Sequence, residues 1–124
     1  MRQFIVILPL LLASCVSAPP IDYANGDFGL SPYGEHTRIA NFTRGWINSK
    51  LKDPYSAHVS LSYDQASVIN EGVRIYGYSI SADVNAKNSF GGYTGTQGIG
   101  PYFAHEYPDG RLLFCERSSC VVSR

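Results

Sequence analysis

The sequence predicts an α+β domain in which one N-terminal helix packs on a roughly four-stranded antiparallel sheet. Three observations favour this fold class. Residues 35–52 carry apolar side chains at helical spacing, the chain after them alternates apolar and polar residues, and short turn-forming segments divide that later part. One helix followed by closely connected strands is typical of α+β domains. A chain of 124 residues has room for one such domain.

The first 14 residues have the organisation of an export signal. Arg2 precedes an apolar run from Phe4 to Leu12, and small residues follow the run. A basic start, a short apolar segment and a small-residue cleavage zone are the three parts of a signal peptide. The run is shorter than the ~20 residues that a membrane-spanning helix needs. We therefore predict that residues 1–14 are a signal peptide.

The next residues resemble the lipobox of bacterial lipoproteins. Leu12-Ala13-Ser14-Cys15 places a branched apolar residue, two small residues and a cysteine in lipobox order. The resemblance implies that Cys15 carries diacylglycerol, becomes the new N-terminus and anchors the protein, since two or three acyl chains bind a membrane stably. Val16 stands where aspartate would favour the inner membrane, which implies the outer membrane, facing the periplasm. The alternative is a chance cysteine in a secretory signal.

Residues 15–34 are predicted to be the lipidated cysteine and a flexible tether. The segment is rich in proline and glycine and has no sustained period. A free spacer of this length reaches roughly 20–25 Å. Part of the segment is nevertheless expected to dock on the domain at 35–124, because it contains more apolar side chains than a linker needs: Tyr23, Phe28, Leu30 and Tyr33.

The predicted helix, residues 35–52, ends before Pro54, because the residue before a proline is disfavoured in helical conformation. Its apolar stripe is interpreted as core and comprises Ile39, Phe42, Trp46, Ile47 and Leu51. Alternation then predicts a strand over residues 57–63 and, after a turn at 70–72, a second strand over 73–84. Val73 and Ile75 fall on the opposite face from the later apolar residues of that strand, which predicts a bulge near Gly77.

Two further strands are predicted to form a hairpin. Residues 102–107 and 111–115 flank Pro108-Asp109-Gly110, a strong turn signal. Assigning Cys15 to lipid leaves Cys115 and Cys120, which are close enough in the chain to pair in an oxidising compartment. A redox or metal-binding pair is the alternative, although the spacing is not C-x-x-C and no histidine lies nearby.

Composition and motifs exclude several classes of function. Ten basic and ten acidic residues give no net charge, and the lysines and arginines form no cluster. Both observations disfavour nucleic-acid binding. There is no Gly-x-Ser-x-Gly or phosphate-binding loop. The histidines, His36, His58 and His105, lack a partner at metal-ligand spacing, except that Glu106 adjoins His105 and would point to the opposite face of a strand. We predict a non-enzymatic protein with no metal, no other cofactor and no nucleic-acid partner.

The glycine-rich run from Asn85 to Gly95 (NAKNSFGGYTG) separates the two strand-forming halves of the domain. One hypothesis is that it grips an envelope protein or a glycan, through Lys87, Asn88, Phe90 and Tyr93. The other is that its glycines let the chain turn while its aromatic residues cover the sheet edge. The second hypothesis is favoured.

This run and the segment from Leu51 to Ala57 resemble a family of small exported bacterial proteins. The resemblance covers roughly Trp46 to Gly95 and implies no activity and no catalytic residue. Relatives often have a cysteine near the position of Ser81, and its absence here strengthens the pairing of Cys115 with Cys120. The expected function is that of a membrane-anchored lipoprotein presenting a small domain in the cell envelope. The alternative is a binding or inhibitor module that acts on an envelope enzyme or glycan.

Overall fold

The computed structural model describes residues 20–34, 36–86 and 95–124 and contains one α-helix and a five-stranded antiparallel sheet in the order β1-β2-β3-β4-β5. The α+β prediction is confirmed, with five strands in place of about four. No helix in the described part of the chain is long and apolar enough to cross a membrane. The elements are α1 (Arg38–Asn48), a 3-10 turn (Pro54–Ser56), β1 (His58–Asn70), β2 (Val73–Asn85), β3 (Gln97–Glu106), β4 (Leu112–Glu116) and β5 (Ser119–Ser123).

Helix α1 is shorter than the predicted 35–52 because caps close both of its ends. The Thr37 hydroxyl accepts a hydrogen bond from the Ala40 N–H, which begins the helix. At the other end, the Ser49 N–H bonds to carbonyls of the last turn. Leu51 was predicted to lie on the helical stripe, but it packs against the core from the segment after the helix.

Strands β1 and β2 form one long hairpin. Glu71 and Gly72 have φ values of 52° and 76°, as a two-residue hairpin turn of type I′ requires. The predicted turn is therefore confirmed, whereas β1 continues seven residues beyond the predicted end at Tyr63. The extension was missed because exposed Asp64 and Gln65 interrupt the alternation.

The sheet has an apolar cluster on each face. Helix α1 covers the larger cluster, which contains Ile80, Tyr102 and Phe114. Ile75 packs on the opposite face, against Phe103 and Leu113. This second cluster explains why Ile75 has the opposite parity, whereas Val73 on the same face is largely exposed.

The prediction of a bulge near Gly77 is wrong, because β1 and β2 pair in continuous register through Ala66 and Gly77. The irregularity lies between β2 and β3 instead. Ile80 pairs with Tyr102, but Ala82 pairs with Ile99, so the extra residue is in β3. Gly100, which has a φ of 102°, lies in this interval and accommodates the bulge.

Residues 20–34 form a strap that lies on the sheet. The Leu30 N–H donates to the Glu106 carbonyl at 2.9 Å, and the Asp22 N–H donates to the Tyr76 hydroxyl at 2.7 Å. The Phe28 ring packs edge-on against Tyr76, with the centroids 5.6 Å apart. The described part of the predicted tether therefore belongs to the folded unit, which begins before residue 35.

The hairpin of β3 and β4 is confirmed around the turn at 108–110. The Gly110 N–H donates to the Tyr107 carbonyl at 3.0 Å, and Gly110 has a φ of 93°. Strand β5 was not predicted. It follows a two-residue turn, Arg117-Ser118, in which Arg117 adopts a φ of 56°. That turn lacks the glycine or asparagine that usually reveals such a hairpin in a sequence.

Candidate binding site at the β5 edge

Most of the residues that the sequence analysis predicts to be functional lie outside the described residues. These are Cys15 and the four loop residues Lys87, Asn88, Phe90 and Tyr93. The structure does place the ends of the loop, because Val84 pairs with Gln97 where β2 leaves the sheet and β3 enters it. The structure therefore tests neither of the two hypotheses about the loop.

The predicted disulfide joins β4 to β5. Cys115 and Cys120 are directly opposite each other in the two strands, with their sulfur atoms 2.08 Å apart and their Cα atoms 4.0 Å apart. Cys115 is buried and Cys120 is partly exposed. Because a one-residue slip would move each β5 side chain to the other face, the bond holds β5 in a single register.

A groove of about 390 Å³ lies beside β5 on the helix face of the sheet. Its apolar wall is formed by Phe114 and Trp46, whose ring centroids are 5.2 Å apart. Val121 of β5, which is 40% exposed, forms the outer wall. The remaining lining residues are polar or charged: Glu116, Arg117, Ser118 and Ser119. An apolar wall with polar groups at one end is the usual composition of a small binding site.

Glu116 organises the polar end of the groove. Its carboxylate accepts hydrogen bonds from Lys50 Nζ at 2.5 Å and from Trp46 Nε1 at 2.8 Å. The Lys50 ammonium also lies 5.5 Å from the centroid of the Trp46 ring, within cation–π range. The hydrogen bonds from Lys50 and Trp46 lower the pKa of the Glu116 carboxyl, and the nearby Arg117 cation lowers it further. The indole is thereby held in one orientation against Phe114.

His105 is buried and lies on the opposite face of the sheet. Its Nδ1 is 2.5 Å from the Tyr76 carbonyl oxygen, and its ring packs edge-on against Tyr107 with the centroids 4.4 Å apart. These contacts give His105 a packing role between β2, β3 and the strap. No group of three or more His, Cys, Asp or Glu side chains that could hold a metal ion occurs within residues 20–34, 36–86 and 95–124.

Comparison with known proteins found no relative that could indicate a function. No protein-family model matches the chain. No curated protein matches it, and no solved structure matches it.

Sequence reasoning missed the groove because its walls come from three separate elements. Trp46 was assigned to the core stripe, and Glu116 and Val121 were not singled out at all. One signal was present in the sequence: residues 119–123 (SCVVS) form an uncharged segment of strand-forming residues bounded by serines. That segment could have been predicted to be an edge strand.

Replacing Glu116 with glutamine is expected to make stability less dependent on pH. A carboxyl whose pKa is lower in the folded than in the unfolded protein stabilises the fold above its unfolded pKa. That contribution disappears as the pH falls through the folded pKa. The wild type should therefore exceed Glu116→Gln in urea midpoint at neutral pH, and the difference should shrink below the ordinary value of 4.5.

Lys50→Gln is the matched control, because it removes the cation instead of the carboxylate. The urea midpoint of Lys50→Gln should also lie below that of the wild type at neutral pH, and most of this difference should disappear at acidic pH. A difference between wild type and Glu116→Gln that stays constant from neutral to acidic pH would show that the ion pair contributes nothing.

Proposed function

We propose that this protein is a bacterial lipoprotein that is anchored in the cell envelope through Cys15 and presents a small non-enzymatic domain there. The observation that carries the proposal is the Cys115–Cys120 disulfide. The chain has three cysteines, and the disulfide accounts for two of them. The remaining cysteine, Cys15, is the one at the lipobox position. Disulfides persist in oxidising compartments, which supports export of the domain.

The resemblance of the first 14 residues to a lipoprotein signal, together with Val16, favours the outer membrane facing the periplasm. The membrane is then the first partner of the protein, through its acyl chains. With the signal peptide removed, only residues 16–19 separate the lipidated cysteine from Pro20, where the described strap begins. Five peptide units span at most ~18 Å. On this proposal the domain is held close to the lipid headgroups.

A second candidate function, a binding or inhibitor module acting on an envelope protein or glycan, is favoured by the groove beside β5. Its Trp46–Phe114 wall provides apolar contact, and the lining residues Glu116 and Arg117 provide charge. The two functions are compatible, since a lipid-anchored domain can also bind a partner. The groove adds a candidate contact site that is made of residues other than the predicted Lys87, Asn88, Phe90 and Tyr93.

Replacing Cys15 with serine is expected to move nearly all of the protein from the membrane fraction to the soluble periplasmic fraction. Serine provides no thiol for the diacylglyceryl thioether, so the acyl chains that give stable membrane binding are lost. Membrane and soluble periplasmic fractions should be compared by immunoblot, together with metabolic labelling by a palmitate analogue. The wild type should be labelled and sediment with membranes, whereas Cys15→Ser should be unlabelled and soluble.

Cys115→Ser provides the matched control, because it removes a cysteine without touching the lipobox. It should remain labelled and membrane-bound even though it has lost the disulfide. Membrane sedimentation of Cys15→Ser, or absence of label on the wild type, would contradict the anchoring proposal.

A further inference from the structure

The two edges of the sheet differ in whether their outward-pointing backbone groups have hydrogen-bond partners. An edge strand presents outward-pointing N–H and C=O groups that can pair with another chain. On the β1 edge, Arg44 Nη1 donates to the Val59 carbonyl at 2.5 Å, and the Tyr33 hydroxyl donates to the Tyr63 carbonyl at 3.3 Å. Side chains from the helix and the strap therefore cover part of the β1 edge.

The β5 edge has no comparable cover among the described residues. The two-residue turn makes Glu116 and Ser119 a hydrogen-bonded pair, and such pairs alternate along an antiparallel ladder. Cys120 and Val122 consequently direct their N–H and C=O groups away from β4, toward the open edge. Strand β5 also lacks the lysine, proline or inward-pointing charge by which edge strands usually avoid pairing.

The side chains of β5 add apolar surface on both faces of this edge. Val122 is 60% exposed on one face, and Val121 is 40% exposed on the other, where it borders the groove. A strand added to a sheet edge gains affinity from main-chain hydrogen bonds and specificity from pockets that take alternate side chains. The β5 edge offers both, because the groove lies where alternate side chains of an added strand would point.

Positively charged side chains lie at both ends of β5. At the turn, Lys50 and Arg117 lie near a single carboxylate, Glu116. At the opposite end, Arg111 pairs with Asp109 at 2.7 Å. Arg124 is also close enough to Asp109 to help lower the pKa of its carboxyl, after the larger effects of the hydrogen bonds from Arg111. Among these described side chains, the cations outnumber the carboxylates by one at each end of β5, so a bound segment would meet Arg117 at one end and Arg124 at the other.

We propose that the β5 edge binds an extended segment of a partner protein as a sixth, antiparallel strand. This segment has alternating apolar side chains that face the groove and a carboxylate at each end. Its backbone bonds to Cys120 and Val122, and its acidic ends face Arg117 and Arg124. The proposal rests on the domain being a binding module and is independent of the lipid anchor at Cys15.

A second copy of this chain fits the edge less well. The sequence of residues 119–123 is nearly the same in both directions. Two antiparallel β5 strands could therefore pair with their Val121 residues opposite each other, so that the outward N–H and C=O groups of one strand face those of the other. That pairing would place Arg124 of each copy opposite Ser118 of the other, and it would bring no acidic side chain to Arg117, because residues 119–123 contain none. Opposite charges across a strand pair stabilise it. An acidic-ended segment supplies the charge that a second β5 strand lacks, and charge therefore decides between the two occupants.

The test uses the purified protein in detergent micelles and a fluorescent heptapeptide of sequence EVTVTVE. Fluorescence anisotropy should show saturable binding of this peptide. A control peptide of the same sequence carries N-methyl groups on both threonines and therefore lacks the two N–H donors that face β5. It should bind at least about tenfold more weakly, because two backbone hydrogen bonds are lost.

Val122→Pro is the protein variant that matches this control. Proline is tolerated where the replaced N–H faces solvent at a sheet edge, so the fold should be retained while one outward donor is removed. We expect about a tenfold loss of affinity for the peptide, whereas Val122→Thr, which keeps the backbone donor, should bind almost as the wild type does. Far-ultraviolet circular dichroism and the melting temperature establish that both variants are folded.

Charge is tested with the peptide SVTVTVS and with Arg117→Ser. Both changes should weaken binding several-fold, and raising the salt concentration should reduce the difference between the acidic and serine-ended peptides. Equal binding of the N-methylated and unmodified peptides would overturn the proposal. So would wild-type self-association, detected by sedimentation velocity and abolished by Val122→Pro, since the occupant would then be a second copy. Either result leaves the Cys15 fractionation experiment unaffected.

Discussion

Replacing Phe114 with alanine is expected to destabilise the domain by about 3–5 kcal/mol. Phe114 is 1% exposed, and its ring contacts three others that belong to the helix and to β3. The ring centroids of Phe42, Trp46 and Tyr102 lie 5.0, 5.2 and 5.3 Å from that of Phe114. Alanine leaves a cavity where these elements meet. A domain of this size typically has only 5–15 kcal/mol of stability, so the loss is a large fraction of the total.

The melting temperature followed by circular dichroism should fall by roughly 15–30 °C for Phe114→Ala. Phe114→Leu keeps most of the apolar volume and provides a folded intermediate, with an expected loss of about 1–2 kcal/mol. Tyr55→Ala is the control for removing an aromatic side chain, because Tyr55 is fully exposed. A Phe114→Ala protein that melts within a few degrees of the wild type would show that Phe114 is not central to the core.

Replacing Gly77 with alanine is expected to cost about 1–3 kcal/mol through overpacking. Gly77 is buried in β2 beneath the ring of Phe103. A Cβ added there would lie 2.8 Å from Phe103 Cζ and closer still to the carbonyl oxygen of Ala104. The neighbouring backbone of β3 must shift, because a carbonyl in the sheet ladder cannot rotate away as a flexible side chain would.

Gly98→Ala tests whether this cost comes from local crowding or from the general effect of glycine on the unfolded chain. Gly98 also lies in a strand, but a Cβ there would find its nearest neighbour, Asp83 Oδ1, 3.9 Å away. Its substitution should be neutral or stabilising by less than about 1 kcal/mol, since alanine reduces the entropy of the unfolded state. Urea midpoints that fall equally for both variants would refute the crowding explanation.

The parts of the fold that the sequence predicts are those governed by local chemistry. The helix is evident from the spacing of Ile39, Phe42 and Ile47, and the connection between β1 and β2 from the turn at Glu71 and Gly72. The turn at 108–110 was evident for the same reason, since proline and glycine restrict the backbone in known ways. The ends of the helix were misjudged because the Thr37 cap begins the helix and the Ser49 cap ends it before the apolar pattern ends at Leu51.

The parts that local patterns do not reveal depend on contacts between distant segments. Whether Ile75 marks a bulge or a second apolar cluster depends on Phe103 and Leu113, which lie in other strands. The groove likewise combines Trp46 of the helix with Val121 of β5. The Cys115–Cys120 pair was predictable because its two members are close in the chain, and that short separation also fixes where β5 must lie.

The docked strap has a geometric consequence for a lipid-anchored domain. Asp22 is held at Tyr76, and in the pairing of the strands Tyr76 lies toward the end of the sheet that contains the turn between β1 and β2. Strand β2 then runs nine residues to Asn85, roughly 30 Å at about 3.4 Å per residue. Attachment at Cys15 would thus give the domain a membrane-proximal end and a distal end. The flanks of the glycine-rich run, Ala86 and Gly95, belong to the distal end, which would face across the periplasm.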